Sequence, residues 1–467
     1  MKIEQLYTDC LAEAAYYVES NGEALIIDPL RDVKTYMEMA EKDGAKIKYI
    51  LETHFHADFV SGHQDLANKT GAKIIYGPTA KPNFEAQIAE DSEILDLGAV
   101  KIKVLHTPGH TMESTTFLLI DKNGKDHAIF TGDTLLLGDV GRPDLAVKTD
   151  LSRADLAGHL YDSLRNRIMP LADDVIVYPN HGKGSACGKN MSELTQDTLG
   201  NQKRFNYALR MDMTREEFIK EVTADLVNPP QYFPKNAVMN KMGYESIDSV
   251  IERGMRPLNI KVFKKEVKDG AIIIDTREKQ AFAEGHIPDA IFIGIDDSFA
   301  PWVGALISDL KQPIVFLADK GKEEEVVTRL ARVGYDNSVG FLEGGMEKWQ
   351  SAGEAIKFIV QITPEVFTAI YHDGKHLMDV RKESEFEAQH IAGATNFPLD
   401  TLYSNLESLD KNEVLYLHCA GGYRSMIASS ILQSKGFENI INIQGGFNAL
   451  KELDIPLTHL KEQVTML

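Results

Sequence analysis

Cysteine is scarce in this chain. Only three cysteines, Cys10, Cys187 and Cys419, occur among its 467 residues, and they lie far apart. An odd number of widely spaced cysteines does not form a disulfide framework and is typical of a reducing compartment. The sequence therefore predicts a cytoplasmic protein whose cysteines remain free thiols.

Long apolar runs and an excess of positive charge are missing as well. No apolar run approaches the roughly 18 residues that a membrane helix needs, and no charged-then-apolar leader opens the chain. We therefore expect a protein that neither spans a membrane nor is secreted. The 70 acidic and 50 basic residues give a formal net charge of −20. Nucleic acids and anionic membranes select for basic patches, so neither is predicted as a partner.

The chain is too long for a single core, and domain sizes of ~100–200 residues predict about three domains. Strand and helix signals alternate at the start, with Asn-Gly turns at 21–22 and 123–124 that predict hairpins, and with four predicted helices. Three prolines in 228–234 predict a non-helical run. The predicted helices cover residues 33–43, 62–70, 151–168 and 191–208. The predicted domain organisation is a first domain at 1–225, a Pro- and aromatic-rich connector at 226–258, and two further domains at 259–356 and 357–467.

Four short turns carry histidine or aspartate directly after apolar runs. In the first, His54, His56 and Asp58 alternate behind the apolar run 47–51. The other three turns, marked by glycine or proline, supply His110, Asp133 and His181. Imidazoles and carboxylates gathered at strand ends are what zinc and iron ions bind. A polar surface loop is the alternative for any one turn, but four turns of the same kind favour a metal site.

The order of these motifs resembles the metallo-β-lactamase superfamily. Within it, the match is to the persulfide dioxygenases that carry rhodanese domains behind the metal domain. The hydrolases of the superfamily have a histidine directly after the aspartate of the first motif, where this chain has Phe59. A phenyl ring cannot ligate a metal, so the second position of a dinuclear zinc site would lack a ligand.

The resemblance implies a mononuclear site and a fold. It implies an αββα sandwich with one Fe(II) per chain, held by two imidazoles and one carboxylate that leave open positions on the ion. The implied ligands are His54, His110 and Asp133. The implied orienting groups, which act on the ligands or on bound water, are His56, Asp58 and His181.

The last 200 residues contain an internal repeat. Each copy has Asp-x-Arg-x-x-x-x-Phe, then His-Ile-x-x-Ala, then Gly-Gly near its end. This pattern resembles the rhodanese domain, which implies two parallel α/β domains with the active loop at the C-terminal end of a strand. The corresponding segments are 272–278 and 377–383, 284–290 and 388–394, and 342–346 and 443–447.

Cys419 lies where sulfur-transfer chemistry is expected in the second copy. It follows the apolar strand 414–417 and precedes a helix predicted at 426–435. Backbone N–H groups, the helix N-terminus and Arg424 all favour a thiolate, which is the nucleophile and sulfur carrier. A buried structural cysteine is the alternative. The predicted substrate-binding residues of this loop are Gly421, Gly422 and Ser425.

The first copy lacks that chemistry. Asp319 stands where Cys419 stands in the second copy, and a carboxylate cannot carry persulfide sulfur. The acidic run 323–325 at the start of the next helix would oppose an anion. We expect the first copy to be catalytically silent.

Two further residues have open interpretations. Cys187 lies among small residues between Lys183 and Lys189, and it either relays sulfur near the metal or fills a tight loop. The lysines are expected to lower its pKa, which favours the functional interpretation. Arg142 either binds a carboxylate of a thiol substrate or forms a salt bridge with Asp139 or Asp144.

The resemblance therefore implies an enzyme of sulfide detoxification. The first domain would oxidise a small-molecule persulfide with O2 to sulfite and the parent thiol, and Cys419 would move sulfane sulfur, giving thiosulfate. The rivals are a zinc thioester hydrolase similar to glyoxalase II and a non-enzymatic sulfur carrier or sensor. A homodimer or homotetramer is the default expectation for the assembly.

Overall fold

The computed structural model describes residues 1–146, 151–189, 191–226, 228–371 and 376–458. The chain forms two compact units, Met1–Val250 with Thr328–Asp336, and Ile251–Val327 with Asn337–Leu467. Within the described ranges, no helix combines the length and apolar character needed to cross a membrane. The domain boundaries inferred from the sequence stay predictions.

Two six-stranded mixed sheets form the first unit. The first sheet has the strand order β1-β2-β3-β4-β5-β6 and the second has β12-β11-β10-β9-β8-β7. The first sheet comprises β1 (Lys2–Thr8), β2 (Glu13–Ser20), β3 (Glu23–Ile27), β4 (Lys46–Glu52), β5 (Lys73–Tyr76) and β6 (Gln87–Ile88). The second comprises β7 (Ile94–Leu97), β8 (Val100–His106), β9 (Thr115–Ile120), β10 (Asp126–Gly132), β11 (Ile176–Pro179) and β12 (Asp197–Thr198).

Helices cover the outer face of each sheet. Because strand side chains alternate, Tyr16 and Val18 of β2 enter the core between the sheets, whereas Ala15 and Tyr17 pack on the outer side. Both faces are buried, so these strands read as nearly continuous apolar runs. The helices of this region are α1 (Lys34–Lys42), α2 (His63–Thr70), α3 (Arg153–Ser163), α4 (Leu199–Phe205), α5 (Arg215–Thr223), α6 (Phe233–Met242) and α7 (Ile247–Gly254). A π-helical turn, Leu164–Ile168, continues α3, and a 3-10 turn, Tyr207–Leu209, follows α4.

The predicted αββα sandwich is confirmed, and its local predictions have mixed outcomes. The hairpin of β2 and β3 turns at Asn21 and Gly22, both with positive φ, as a two-residue hairpin requires. The helix predicted over 191–208 begins only at Leu199, because Thr198 caps it and the preceding residues form turns.

The Pro-rich run after the first domain is only partly non-helical. Its last two residues, Phe233 and Pro234, lie in the first turn of α6. Proline is tolerated there because its missing N–H has no partner in the first turn of a helix. Asn240 of α6 donates hydrogen bonds to the carbonyls of His56 and Phe59 at 2.8 and 2.7 Å, so this helix supports the first polar motif.

The second unit contains two five-stranded parallel sheets with equivalent topology. The strand orders are β13-β17-β16-β14-β15 and β18-β23-β22-β19-β21, which confirms the internal repeat. The first copy comprises β13 (Pro257–Leu258), α8 (Ile260–Lys268), β14 (Ile272–Asp275), α9 (Lys279–Glu284), β15 (Ile291–Phe292), α10 (Phe299–Leu306), β16 (Ile314–Leu317), α11 (Glu323–Arg332), β17 (Ser338–Leu342) and α12 (Gly345–Ser351).

The second copy has a short antiparallel pair, β20 with β24, where the first has a single antiparallel bridge between His286 and Lys357. Its helix after the Cys419 loop begins at Tyr423, three residues before the predicted start. The second copy comprises β18 (Val360–Ile362), α13 (Pro364–Ile370), β19 (Leu377–Asp379), α14 (Glu383–Ala388), β20 (His390–Ile391), β21 (Thr395–Asn396), α15 (Leu402–Asn405), β22 (Leu415–His418), α16 (Tyr423–Ser434), β23 (Ile440–Ile443), α17 (Gly446–Leu450) and β24 (Leu457–Thr458). Short 3-10 turns, Leu399–Thr401 and Leu406–Ser408, flank α15.

Candidate metal centre and sulfur-transfer loop

The three predicted ligands meet at one end of the sandwich. His54, His110 and Asp133 follow the C-terminal ends of β4, β8 and β10, and one ligand atom from each lies within 4.8 Å of the others. All three side chains are buried. The two imidazole rings meet edge to face with centroids 4.9 Å apart. Two imidazoles and one carboxylate at this spacing match a 2-His-1-carboxylate metal site.

The surroundings of the Asp133 carboxylate fit a bound cation. Both carboxylate oxygens are buried, and neither accepts a hydrogen bond from any described residue. His110 Nε2 lies 3.4 Å from Asp133 Oδ2. A buried carboxylate without hydrogen-bond donors is costly unless a cation compensates its charge. The arrangement therefore fits a metal ion among these three side chains.

Thr53 orients His54 for ligation. Its hydroxyl donates to Asp28 Oδ2 at 2.8 Å, so its lone pair accepts from His54 Nδ1 at 3.0 Å. The proton of His54 is thereby held on Nδ1, and Nε2 keeps the lone pair that a metal takes. Asp28, next to the end of β3, also accepts the main-chain N–H of Thr53. Asp28, Thr53 and His54 thus form a chain that fixes the ring.

Replacing Thr53 by valine should weaken metal binding. Thr53→Val keeps the shape of the side chain but removes the hydroxyl between Asp28 and His54, so the ring loses its fixed orientation. We expect the metal affinity to fall about 10–100-fold, measured by competition with a chelator. Thr53→Ser keeps the hydroxyl and should retain nearly normal affinity. Equal affinities of the valine and serine variants would contradict this role of Thr53.

Arg142 adopts one of the two predicted alternatives. Its guanidinium forms a bidentate pair with Asp144 at 2.7 and 2.8 Å and also donates to the carbonyl of Ala186. Its main chain has a second role that the sequence did not indicate. The Arg142 carbonyl lies 2.9 Å from His110 Nδ1, which leaves His110 Nε2 for the metal. The structure therefore shows the salt bridge, and contact with a substrate carboxylate stays a prediction.

A second group of donors adjoins the first. Asp58, His181 and Cys187 are buried and also offer atoms within 4.8 Å of one another. His181 Nδ1 lies 3.0 Å from the Ala12 carbonyl, and its Nε2 lies 3.3 Å from Asp58 Oδ2 and 3.6 Å from Asp133 Oδ1. Asp133 therefore stands between the two groups.

The prediction that neighbouring lysines lower the pKa of Cys187 is wrong. Burial raises the pKa of this thiol well above its usual value, and the charges of Asp133 and Asp58 raise it further. Lys189 instead donates to main-chain carbonyls of Glu221 and Ala224. The position of Cys187 beside Asp58 and His181 still places its sulfur at the metal end of the sandwich.

His56 lies next to His54, with ring centroids 4.2 Å apart, but its Nε2 is near carboxylates that are not in the predicted ligand set. Its Nε2 lies 3.0 Å from Asp28 Oδ1 and 3.5 Å from Glu52 Oε2. Burial disfavours the imidazolium, but these carboxylates outweigh it and raise the pKa of His56 well above its usual value. Phe59 is fully buried and stacks on the His56 ring with centroids 4.3 Å apart. The phenyl ring thus occupies a packed position next to the polar motif.

Sequence reasoning missed the buried acids behind the site. Glu52 accepts a hydrogen bond from Ser61 and pairs with His63, and the pKa of Glu52 falls to about 2, because His63 and His56 outweigh the effect of burial. Burial raises the pKa of Glu13, which is fully enclosed. Asp28 could have been found, because it follows an apolar strand in the same way as the predicted ligands do.

The Cys419 loop supports an anionic sulfur. Cys419 follows β22, is buried, and its Sγ accepts the Gly422 N–H at 3.1 Å. Gly422 has a φ of +99° at the N-cap of α16, a conformation that a side chain would strain. The helix N-terminus therefore points its N–H groups towards the sulfur.

Arg424 and Ser425 lie in the first turn of α16 with partners of their own. Arg424 forms two hydrogen bonds with Glu385, at 2.6 and 2.8 Å, so a carboxylate compensates its charge. Ser425 is fully buried and donates to the Gly422 carbonyl at 3.2 Å, which stabilises the turn. Their predicted roles towards substrate stay predictions.

The equivalent loop of the first copy is built differently. The Lys322 N–H, which corresponds to that of Gly422, donates to the Asp319 carbonyl at 3.0 Å and not to a side-chain atom. The preceding amide, that of Gly321, donates to the Glu323 carboxylate at 2.8 Å. The acidic residues Glu323, Glu324 and Glu325 occupy the first turn of α11. A carboxylate of the chain itself thus lies at this loop, and the expected silence of this copy stays a prediction.

Comparison with known proteins matches a family model to the N-terminal part of the chain and another to its C-terminal part. The family model of the Metallo-beta-lactamase superfamily matches residues 8–181. The model of the Rhodanese-like domain matches twice, at residues 259–352 and 363–453. A solved metallo-beta-lactamase structure from Staphylococcus aureus subsp. aureus COL is 30% identical, with a TM-score of 0.64 over 73% of this chain and 98% of that chain.

The chain belongs to the metallo-beta-lactamase superfamily. A hydroxyacylglutathione hydrolase from Francisella philomiragia is 30% identical over 193 residues, which are 41% of this chain and 70% of that protein. The mitochondrial persulfide dioxygenase ETHE1 of Bos taurus is 28% identical over 212 residues, 45% of this chain and 74% of that protein. This superfamily member therefore combines a metallo-beta-lactamase domain with two rhodanese-like domains, as its motifs implied.

Proposed function

We propose that the first domain is a non-haem Fe(II) persulfide dioxygenase and that the second rhodanese-like domain transfers sulfane sulfur. The substrates are a low-molecular-weight thiol persulfide and O2, and the compartment is the cytoplasm. Sequence similarity alone does not distinguish this function from thioester hydrolysis, because the hydroxyacylglutathione hydrolase and the persulfide dioxygenase are almost equally similar to the chain. The residues at the metal centre are what support the dioxygenase over the hydrolase.

The observation that carries the proposal is the ligand set beside Phe59. His54, His110 and Asp133 form one compact group, and Phe59 packs on His56 where the hydrolases of the superfamily have a further histidine. Three protein ligands would leave a bound ion with open positions for both a sulfur substrate and O2. A bound Fe(II) would supply the redox chemistry that adds both atoms of O2 to the terminal sulfur. One water molecule then supplies the third oxygen of sulfite as the bond to the parent thiol breaks.

The residues of the chain prepare this site for such a reaction. Thr53 and the Arg142 carbonyl hold the two ligand rings in one tautomer and one orientation. His181 Nε2 and Asp58 Oδ2 lie beside Asp133, where they are able to hold the proton that the persulfide gives up. The ligands are buried, which keeps bulk water from the reacting sulfur.

The second rhodanese-like domain supplies the sulfur transfer. The Cys419 thiolate attacks the terminal sulfur of a persulfide, and the parent thiolate leaves with the electron pair of the broken S–S bond. Sulfite then attacks the outer sulfur on Cys419, which releases thiosulfate and restores the thiolate. The Gly422 N–H, which already bonds the sulfur, stabilises both anionic states.

A zinc thioester hydrolase is the second candidate. Asp58, His181 and Cys187 offer a second group of donors next to Asp133, which a dinuclear centre would use. The two candidates differ in metal and in reaction. The proposed function requires oxygen uptake by the Fe(II) protein with persulfides and no thioester hydrolysis by the Zn(II) protein with S-lactoylglutathione. Rapid hydrolysis without oxygen uptake would favour the hydrolase.

A further inference from the structure

A cavity of about 200 Å³ lies against the Cys419 loop in the second unit. Three glycines, four amide side chains and one lysine line it, and no carboxylate does. Gly421 and Gly422 of the active loop form one wall, and Gly445 forms another. The cavity is about the volume of six or seven water molecules, more than sulfite or thiosulfate alone requires.

The silent copy contributes to this cavity. Lys279 and Gln280, at the start of α9, belong to the copy without a cysteine. Lys279 Nζ lies 3.5 Å from the Gly421 carbonyl oxygen. The same nitrogen would lie 4.0 Å from a Cβ atom placed on Gly422. Lys279 thus places a positive charge beside the loop that carries Cys419. Arg424 does not serve the cavity in this way, because Glu385 holds its guanidinium.

The amide side chains form a chain of hydrogen bonds with a fixed direction. Gln280 Nε2 donates to the Glu284 carboxylate at 2.8 Å, which accepts only, so Gln280 Oε1 is left to accept. It accepts from Gln361 Nε2 at 2.9 Å, and Gln361 Oε1 accepts from Asn442 Nδ2 at 3.3 Å. The chain ends at Asn442 Oδ1.

Asn442 Oδ1 is a buried acceptor without a donor. The residue is 2% exposed, and no described residue donates to this oxygen. Buried polar atoms are nearly always hydrogen-bonded, so this oxygen calls for an N–H or O–H group from a ligand. An oxyanion such as thiosulfate has no such group. A ligand that satisfies both Lys279 and Asn442 must combine a negative charge with a hydrogen-bond donor.

We propose that this cavity binds the body of an anionic low-molecular-weight thiol, or its persulfide, while its sulfur reacts at Cys419. Lys279 pairs with a carboxylate or phosphate of the ligand, and Asn442 Oδ1 accepts an N–H or O–H from it. The silent copy is thereby a binding element for the active copy. This inference rests on the proposed sulfur transfer at Cys419 and adds the chemical class of the thiol.

The test follows sulfur transfer from thiosulfate to thiols in the full-length protein. In this direction the Cys419 thiolate takes the outer sulfur of thiosulfate and sulfite leaves. The acceptor thiolate then attacks that sulfur, and Cys419 regains its thiolate. The acceptors are glutathione, which carries carboxylates, coenzyme A, which carries phosphates, and the neutral 2-mercaptoethanol.

Lys279→Gln should raise the KM for an anionic thiol about threefold to tenfold and leave kcat nearly unchanged. The KM values for thiosulfate and 2-mercaptoethanol should not change. Lys279→Arg should restore much of the affinity, and Lys320→Gln, an exposed lysine of the same copy, is the matched charge control. A larger rise in the KM for glutathione would identify a carboxylate as the partner of Lys279. A larger rise in the KM for coenzyme A would identify a phosphate. A raised KM for thiosulfate alone, or no change in any KM, would overturn the proposal.

A binding measurement separates this proposal from the proposed function. Calorimetric titration with S-methylglutathione and with coenzyme A disulfide, neither of which has a free thiol, should show weaker binding of one of them to Lys279→Gln than to the wild type. If the wild type transfers no sulfur but this difference is present, the proposed function fails and the binding site stands. If transfer is normal and neither ligand shows a difference, the binding site fails and the function stands.

Discussion

Asp133→Ala should eliminate both the metal and the oxygen uptake. Asp133 supplies the only carboxylate of the ligand group with His54 and His110, and its two buried oxygens accept no hydrogen bond from the described residues. Without it, two neutral imidazoles remain to hold a divalent ion. We expect one iron per chain in the wild type, less than about a tenth of that in the variant, and oxygen uptake at background.

Metal analysis and an oxygen electrode check this expectation. The matched control is Asp174→Ala, which removes an exposed carboxylate of the same unit that pairs with Lys125. It should retain metal and activity. Two stoichiometric metals per chain in the native protein would contradict the mononuclear site and would implicate Asp58, His181 and Cys187 as ligands.

Cys419→Ser should separate the two reactions. The serine hydroxyl is a far poorer sulfur carrier than a thiolate, so no persulfide forms at this position. The variant should keep its iron and most of its initial oxygen uptake, because the metal ligands are all in the other unit. The product should shift from thiosulfate to free sulfite, and transfer between thiosulfate and an added thiol should fall at least about a hundredfold.

This variant also tests the silence of the first rhodanese-like copy. For this test Cys419→Ser is combined with Cys187→Ser, because Cys187 is the other thiol that could relay sulfur. Any remaining transfer by this full-length protein must come from the copy with Asp319, where Glu323 already occupies a loop amide. We expect none above background. Cys10→Ser is the control for removal of a thiol, since Cys10 lies in neither predicted site. Loss of oxygen uptake in Cys419→Ser would mean that sulfur reaches the metal through Cys419, and the order of steps proposed here would be wrong.

The sequence predicted those site residues that follow the end of a strand. His54, His110 and Asp133 each follow an apolar strand, β4 of the first sheet and β8 and β10 of the second, and these strand ends meet at one end of the sandwich. The same rule applies to Asp28, which follows β3 but belongs to no motif. Fold class was predictable for a related reason, since strand and helix periodicities and the internal repeat are local signals.

The rest depends on contacts between distant residues. His54 and His56 look alike in the sequence, yet His54 joins the ligand group whereas His56 pairs with Asp28 and Glu52. The lysines beside Cys187 suggested a lowered pKa, but burial and two carboxylates raise it. Glu385, which pairs with Arg424, lies 39 positions earlier in the chain. Lys279 reaches the active loop from the other copy, a contact that no local pattern predicts.

Oxygen consumption by the Fe(II)-loaded, full-length protein tests the central claim most directly. The substrates are persulfides of glutathione and coenzyme A, and the control is the same protein loaded with Zn(II). The account predicts one O2 consumed for each persulfide when sulfite is the product, one O2 for every two persulfides when thiosulfate is the product, and no uptake by the zinc form. Absence of oxygen uptake by the iron form with every persulfide, together with hydrolysis of S-lactoylglutathione by the zinc form, would contradict it.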